Sequence, residues 1–238
     1  MSGHSKWSTI KRQKGVNDAK RGQLFSKMSK IISIAARDGG ANLESNQKLK
    51  VAVEAAKTAN MPKINIERAI ASAGKEGKNY EEVVYEGFAP EGLGILIEAT
   101  TDNRNRTGQE IKNILERSGG AMGGPGSASF NFVPKGLILL AQKKLSDDEM
   151  LKVIDLGIDE VEETPDGVEI YTPPSQVYEI EKKIRALGMG VDEVELTQKP
   201  KISTTVSEPK KSEKLSRLLE DLDDHEDVQK IHPSFKII

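Results

Sequence analysis

Between residues 136 and 197 the chain alternates strand-like and helix-like apolar spacing in an order that few folds accommodate. Residues 136–141 are an apolar run bounded by glycine and polar residues, as a buried strand would be. Ser146 then precedes Asp147, Asp148 and Glu149, a helix start whose acids suit the positive end of the dipole, and that helix is expected to run to Leu156. Val161 and residues 168–171 read as a hairpin turning at Pro165-Asp166-Gly167. Ser175 is expected to cap a second helix, on which Val177, Ile180, Ile184 and Leu187 share a face, and residues 191–197 close the pattern as a strand. The order β-α-β-β-α-β is that of a ferredoxin-like α/β sandwich.

The flanking sequence completes a second unit around it. Residues 83–87 and 94–100 read as strands separated by the turn Ala89-Pro90-Glu91-Gly92. A helix with Ile111, Ile114 and Leu115 on its core face ends at Ser118-Gly119-Gly120, and residues 129–133 read as a further strand. Beyond Pro200 come a strand at 202–206, a helix at 210–222 and a strand at 228–231, too little to fold alone. They supply the elements that 79–134 lacks for its own split β-α-β. The expected organisation is therefore a discontinuous α/β domain, 79–134 with 201–238, carrying an inserted ferredoxin-like domain at 135–200.

The first 78 residues are different in kind. Residues 1–17 show no apolar periodicity and read as an extended, basic arm. A helix is expected from Asp18, with Leu24, Met28, Ile31, Ile32 and Ala35 as its apolar stripe and with Lys27, Lys30 and Arg37 on another face. Gly39-Gly40 ends it. A second, alanine-rich helix covers 46–60, and Pro62 restarts the chain into a third helix bearing Ile66, Ala69, Ile70 and Ala73 and stopping near Gly74. The fold class is thus α+β: an N-terminal three-helix domain followed by two ferredoxin-like α/β domains, one inserted into the other.

Composition limits the chemistry. With no cysteine, disulfides, thiolate zinc sites, iron–sulfur clusters and cysteine nucleophiles are excluded. The longest apolar run, 137–141, falls far short of the ~18 residues a membrane helix needs. The N-terminus has no apolar signal segment, so a soluble, cytoplasmic protein without a membrane partner is expected. The net charge of -2 conceals a strong segregation: residues 1–78 hold 16 Lys+Arg against 6 Asp+Glu, whereas 133–200 hold 8 against 15. A basic end on an acidic body is the profile of a polyanion-binding module on a less adhesive scaffold.

The residues that could meet a polyanion follow from that profile. In the arm, Lys6, Lys11, Arg12 and Lys14 neutralise phosphates, and Lys20 and Arg21 continue the basic run. His4 and Trp7, the only tryptophan, can stack on unpaired bases, which favours RNA over a duplex groove. Lys27 adds a further cation. Arg104 and Arg106 lie beside an expected helix N-terminus, where backbone N–H groups and guanidinium forks suit a phosphate. The block Ser118 to Ser127 contains five glycines, but it lacks the Gly-Lys-Ser/Thr ending of a phosphate-binding loop and follows a helix where that loop follows a strand. It could instead let backbone approach an RNA surface, or be a flexible connection. The three histidines are too dispersed for a ligand set, and the acidic run 221–227 lacks the spacing of a calcium loop. No nucleophile, base or metal constellation supports catalysis.

Several of these blocks carry a resemblance. Gly3 to Trp7, Asp18 to Gly22, Asn60-Met61-Pro62-Lys63, Asn65 to Ile70, Tyr85-Glu86-Gly87, Thr101 to Thr107 and Ser118 to Ser127 resemble, in order along the chain, the YebC/PmpR family. The resemblance implies a helical domain plus two α/β domains. It also implies a non-enzymatic protein without cofactor, metal or small-molecule substrate. Members are usually described as DNA-binding transcriptional regulators. The family includes the mitochondrial translational activator of cytochrome oxidase subunit one, and bacterial members are also described as ribosome-bound factors that relieve stalls at proline runs. Nucleic acid, DNA or ribosomal or transfer RNA, is accordingly the expected partner, with the ribosome as its possible setting. This chain departs from the pattern at Gln13 and Gln23, where many members are basic, at Arg12, where many have histidine, and at Ile64, where an aspartate is usual. The last should weaken the cap of the third helix.

Overall fold

The computed structural model describes residues 18–73, 80–164 and 167–237. Helix α1 (Asp18–Gly39) is followed by α2 (Gln47–Thr58) and α3 (Lys63–Ala71). Gly40, at φ +84°, ends α1 in the left-handed region that glycine adopts without strain. Asn46 caps α2 by accepting from the Leu49 N–H at 3.0 Å, and its amide donates to the Ala35 and Gly40 carbonyls, both at 2.7 Å. No side chain caps α3, in keeping with Ile64 standing where a capping acid was expected. The core between the helices is built from Ile32, Ala35, Ala36, Leu49, Val53, Ala56, Met61, Ile66 and Ala69. Small alanines let the axes approach closely. The buried stripe of α1 differs from the expected one: Leu24 and Ile31 are exposed, and Phe25 and Ala36 take their part. Both sets satisfy i, i+3, i+4 spacing, so the choice is made by where α2 and α3 lie.

Strands β1 (Glu81–Ala89) and β2 (Leu93–Thr101) form an antiparallel hairpin across a short 3-10 turn at Pro90–Gly92. Helix α4 (Arg104–Arg117) leads to β3 (Ala121–Met122), which pairs with β1. Strand β4 (Phe132–Leu140) starts the inserted pattern. It is followed by α5 (Asp147–Ile154), β5 (Glu160–Thr164), β6 (Gly167–Thr172), α6 (Val177–Ala186) and β7 (Val191–Pro200). The chain ends with β8 (Thr204–Val206), α7 (Pro209–Asp223), β9 (Val228–Pro233) and β10 (Phe235–Ile237).

Two four-stranded antiparallel sheets result. One has the order β5-β6-β4-β7, the ferredoxin-like arrangement. The other has the order β3-β1-β2-β9, with the C-terminal β9 antiparallel to β2. Its spatial plan is the same, β9-β2-β1-β3 standing for β7-β4-β6-β5, but it is wired differently: the strand equivalent to β6 comes first in the chain. Residues far apart in sequence share its core, where Ile95, Ile97, Ile111 and Leu115 meet Leu215, Leu218, Leu222, Val228 and Phe235. Strand β10 pairs in parallel with β8 as a separate two-stranded piece that the sequence reading did not anticipate.

Two expectations need correction. The strands expected at 129–133 and 136–141 are one strand, β4, preceded by a 3-10 turn at Ser129–Asn131. Pro134 does not break it, because that stretch has a neighbour on one side only, β7. Ser175 does not cap α6: Pro173 and Pro174 set up a 3-10 turn, and Gln176 becomes the first flanking residue without a side-chain hydrogen bond. The hairpin tip Pro165-Asp166 and the stop at Gly74 lie outside the described residues. Ser146, by contrast, caps α5 with a reciprocal bond to Glu149.

Candidate nucleic-acid interface

His4, Lys6, Trp7, Lys11, Arg12 and Lys14 lie outside the described residues, and Lys20 is described in its backbone alone. Arg21 is exposed on the first turns of α1, 5.9 Å from the centre of the Phe25 ring. Lys27, Arg104 and Arg106 can be placed in full, and what they touch is the chain itself.

Lys27 donates to the Asp223 carbonyl at 2.5 Å, and Gln23 donates to that of Asp224 at 3.3 Å. One turn further, Lys30 is buried, 7% exposed, donating to the Glu226 carbonyl at 2.9 Å and pairing with the buried Asp227 carboxylate. The expectation of Lys27 and Lys30 on a free polar face of α1 is thus corrected: that face lies against the C-terminal end of α7, whose last carbonyls attract cations.

Asp227 gathers the rest. Arg106 donates to it at 2.7 Å and the Thr107 hydroxyl at 2.5 Å, and Thr107 contacts the Thr101 hydroxyl at 2.8 Å. Burial alone would raise the Asp227 carboxyl, but donation from Lys30, Thr107 and Arg106 holds it far below the ordinary carboxylate range. Asn103 caps α4 by accepting from the Arg106 N–H at 3.1 Å. The anion expected at this helix N-terminus is therefore present, and it is the chain's own Asp227. Arg104 is more open, 3.7 Å from Glu81, with its carbonyl accepting from the Tyr85 hydroxyl at 2.8 Å. Glu110, His225 and Asp227 lie close enough together to suggest a metal site. The Asp227 oxygens already serve two cations and a hydroxyl, and His225 accepts at Nδ1 from the Asp227 N–H, so the set does not fit a cation.

The glycine block is anchored at its far end. The Glu86 carboxylate accepts from the N–H groups of Gly126 and, just beyond the block, of Ala128 and Ser129, at 2.7, 2.6 and 2.8 Å. Burial works against the charge, but these three donors hold the Glu86 carboxyl below its ordinary range. Two of its glycines, Gly120 and Gly123, serve close approach within the fold. A Cβ on Gly120 would stand 2.2 Å from the Phe88 carbonyl oxygen, and one on Gly123 2.2 Å from the Ser127 hydroxyl. Beyond the block, Phe130 is 70% exposed, on a backbone whose carbonyl accepts from Lys201 at 2.7 Å, while Asn131 clamps Ile202 through both its N–H and its carbonyl. The sequence reading passed over Phe130 because alternation in a supposed strand placed it without distinction.

A cation-rich site does exist in the helical unit. A cavity of about 510 Å³ opens between α1 and α3. Arg37, Arg68 and Lys30 line it, together with Asn65, the serines 26, 29, 33 and 72, and the rings of Phe25 and Tyr80; among the described residues no acidic one does. Arg37 donates to the Tyr80 carbonyl at 2.6 Å. Ser33 and Ser72 share the Ala69 carbonyl as their acceptor and form the floor.

A basic three-helix unit joined through the buried Lys30–Asp227 pair to one of two antiparallel α/β units defines a protein of the α+β class. The chain belongs to the TACO1/YebC family: residues 5–76 match the model of the TACO1/YebC protein N-terminal domain, and residues 80–235 that of the TACO1/YebC second and third domain. A relative from Sulfurihydrogenibium sp., named a probable transcriptional regulatory protein, is 43% identical over 100% of this chain and 96% of its own length. A relative of the same name from Aquifex aeolicus is 41% identical, with the same coverage. A crystal structure of a conserved hypothetical protein from Aquifex aeolicus superposes with a TM-score of 0.80 at 41% identity, covering 93% of this chain and 92% of that one.

Proposed function

We propose that this protein is a non-enzymatic, nucleic-acid-binding regulatory factor whose primary contact is the basic N-terminal stretch. The observation that carries the reading is the segregation of charge, with 16 Lys+Arg against 6 Asp+Glu in residues 1–78 of a chain whose net charge is -2. Its relatives' name, probable transcriptional regulatory protein, supports a regulatory role. In this reading His4, Lys6, Trp7, Lys11, Arg12, Lys14, Lys20 and Arg21 touch the ligand, and Arg104 is an outlying contact. Lys27 helps to hold the helical unit against the C-terminal end of α7, and Arg106 braces the Asp227 carboxylate with which Lys30 of that unit pairs. Residues 79–134 with 201–238 act as one scaffold domain carrying 135–200 as an insertion.

RNA is the favoured target, in a ribosome-bound, cytoplasmic role. A histidine and a tryptophan within a cationic segment suit unpaired bases. A DNA-binding transcription regulator is the second reading, favoured by the relatives' name. Ultraviolet crosslinking in cells, with sequencing of the attached nucleic acid, separates them. Crosslinks to ribosomal or transfer RNA that disappear on deleting residues 2–17 are expected. Enrichment of promoter DNA, with RNA crosslinks absent, would establish the transcription reading instead.

A further inference from the structure

We propose that the cavity between α1 and α3 is a binding site for a nucleoside phosphate, seated with its phosphate on Arg68 and Arg37 and its base against Phe25 and Tyr80. The volume, about 510 Å³, is that of a small-molecule pocket. Among the described residues its lining combines three cations with no acid, in a chain where acids outnumber bases. Lys30 is spent on Asp227 and Arg37 pairs at its Nε with the exposed Asp38, so the cavity's unbalanced charge comes chiefly from Arg68. Arg68 makes no ion pair among the described residues, and Arg37 keeps part of its fork beyond its bonds to Tyr80 and Asp38. At two other anion-seeking places the chain seats its own carboxylates: Asp227 on the Arg106 and Thr107 side chains at the start of α4, and Glu86 on the N–H groups of Gly126, Ala128 and Ser129. Among the described residues no carboxylate lines this cavity. An anion alone would not need the two aromatic rings or the Asn65 amide, and a nucleotide uses all three: phosphate on guanidinium, ring on ring, base edge on amide.

The ligand could be a free nucleotide or one nucleotide of an RNA strand, and only the second source rests on the function proposed above. The test is a titration of the full chain, followed by backbone amide shifts, with inorganic phosphate, with the four nucleoside 5′-monophosphates, and with a single-stranded RNA 12-mer. Arg68→Gln and the near-isosteric Asn65→Asp serve as variants, each checked for an unchanged denaturation midpoint. Expected are shifts at residues 25–37 and 65–73 from a nucleotide source, weakened about tenfold in Arg68→Gln, as for loss of a charge-assisted bond, and further in Asn65→Asp. Shifts there with monophosphates assign a free ligand; shifts with the 12-mer alone assign a strand. Response to inorganic phosphate equal to that with nucleotides would overturn the role of the rings. A 12-mer that binds without moving these residues would overturn the site while leaving nucleic-acid binding intact. Monophosphate binding without 12-mer binding would keep the site and sink the RNA reading.

Discussion

Asp227 is the residue on which most of the described polar structure converges. Removing its charge in Asp227→Asn leaves the buried Lys30 ammonium facing an amide, and breaking one side of a buried pair costs about 3–5 kcal/mol. A urea midpoint equal to that of the parent would show that the contact carries no such weight. The same carboxylate sets a pH dependence. Its folded value lies below the ordinary ~3.9, so its contribution is complete above that value and is lost as the pH falls below it. Denaturation midpoints measured from pH 5 downward should fall more steeply for the parent than for Asp227→Asn. Identical slopes would mean that Asp227 is not held in its charged form. None of this could be read from residue types. Lys30 and Asp227 are 197 positions apart, and a lysine at a polar helical position looks the same whether its acceptor is solvent, a phosphate or the chain's own acid.

At the scale of elements, the glycine block shows what spacing does and does not disclose. From the sequence, Ser118 to Ser127 reads as backbone for an RNA surface or as a flexible connection; its approach to β1 was not legible, because Glu86 gives no sign of its three N–H donors until strand and loop are side by side. Gly120→Ala should destabilise the protein by more than 1 kcal/mol, since its Cβ meets a carbonyl oxygen that cannot turn aside. Gly124→Ala, whose Cβ meets nothing within 4 Å, should stay within about 0.5 kcal/mol. Equal effects in thermal denaturation would contradict this packing. Glu86→Ala should raise the hydrogen-exchange rates of the Gly126, Ala128 and Ser129 amides while leaving those of β2 unchanged. Elsewhere the elements followed local rules where these acted alone, as at Ser146 and Gly40. They departed from them where two rules competed, as at Ser175, where the preceding prolines made a turn first. The arm, on which most of the expected contacts fall, lies outside the described residues.

For the whole molecule, the register of β4 against β7 invites a simple excision. Gly136 faces Leu196, and the pairing continues to Phe132 and Pro200. Replacing 137–195 by Asn-Gly would close this ribbon as a hairpin with a favoured turn. We expect the shortened chain to unfold cooperatively and to keep the Lys30–Asp227 contact, read from the acid dependence of its stability. A chain ending at residue 200 should instead be insoluble, having lost Leu215, Leu218, Leu222, Val228 and Phe235 from the shared core. A soluble, cooperative 1–200 fragment would show that β9 is dispensable.

The pairing of β9 with β2 also has a consequence for the order of events during synthesis. The last residue of β2, Thr101, leaves the ribosome well before Val228 of β9 is joined to the chain. At about 5–20 residues per second, that interval is on the order of ten seconds. Throughout it, the inserted β4–β7 unit can complete itself, whereas β2 presents an unpaired, largely apolar edge that only the final stretch of the nascent chain can cover.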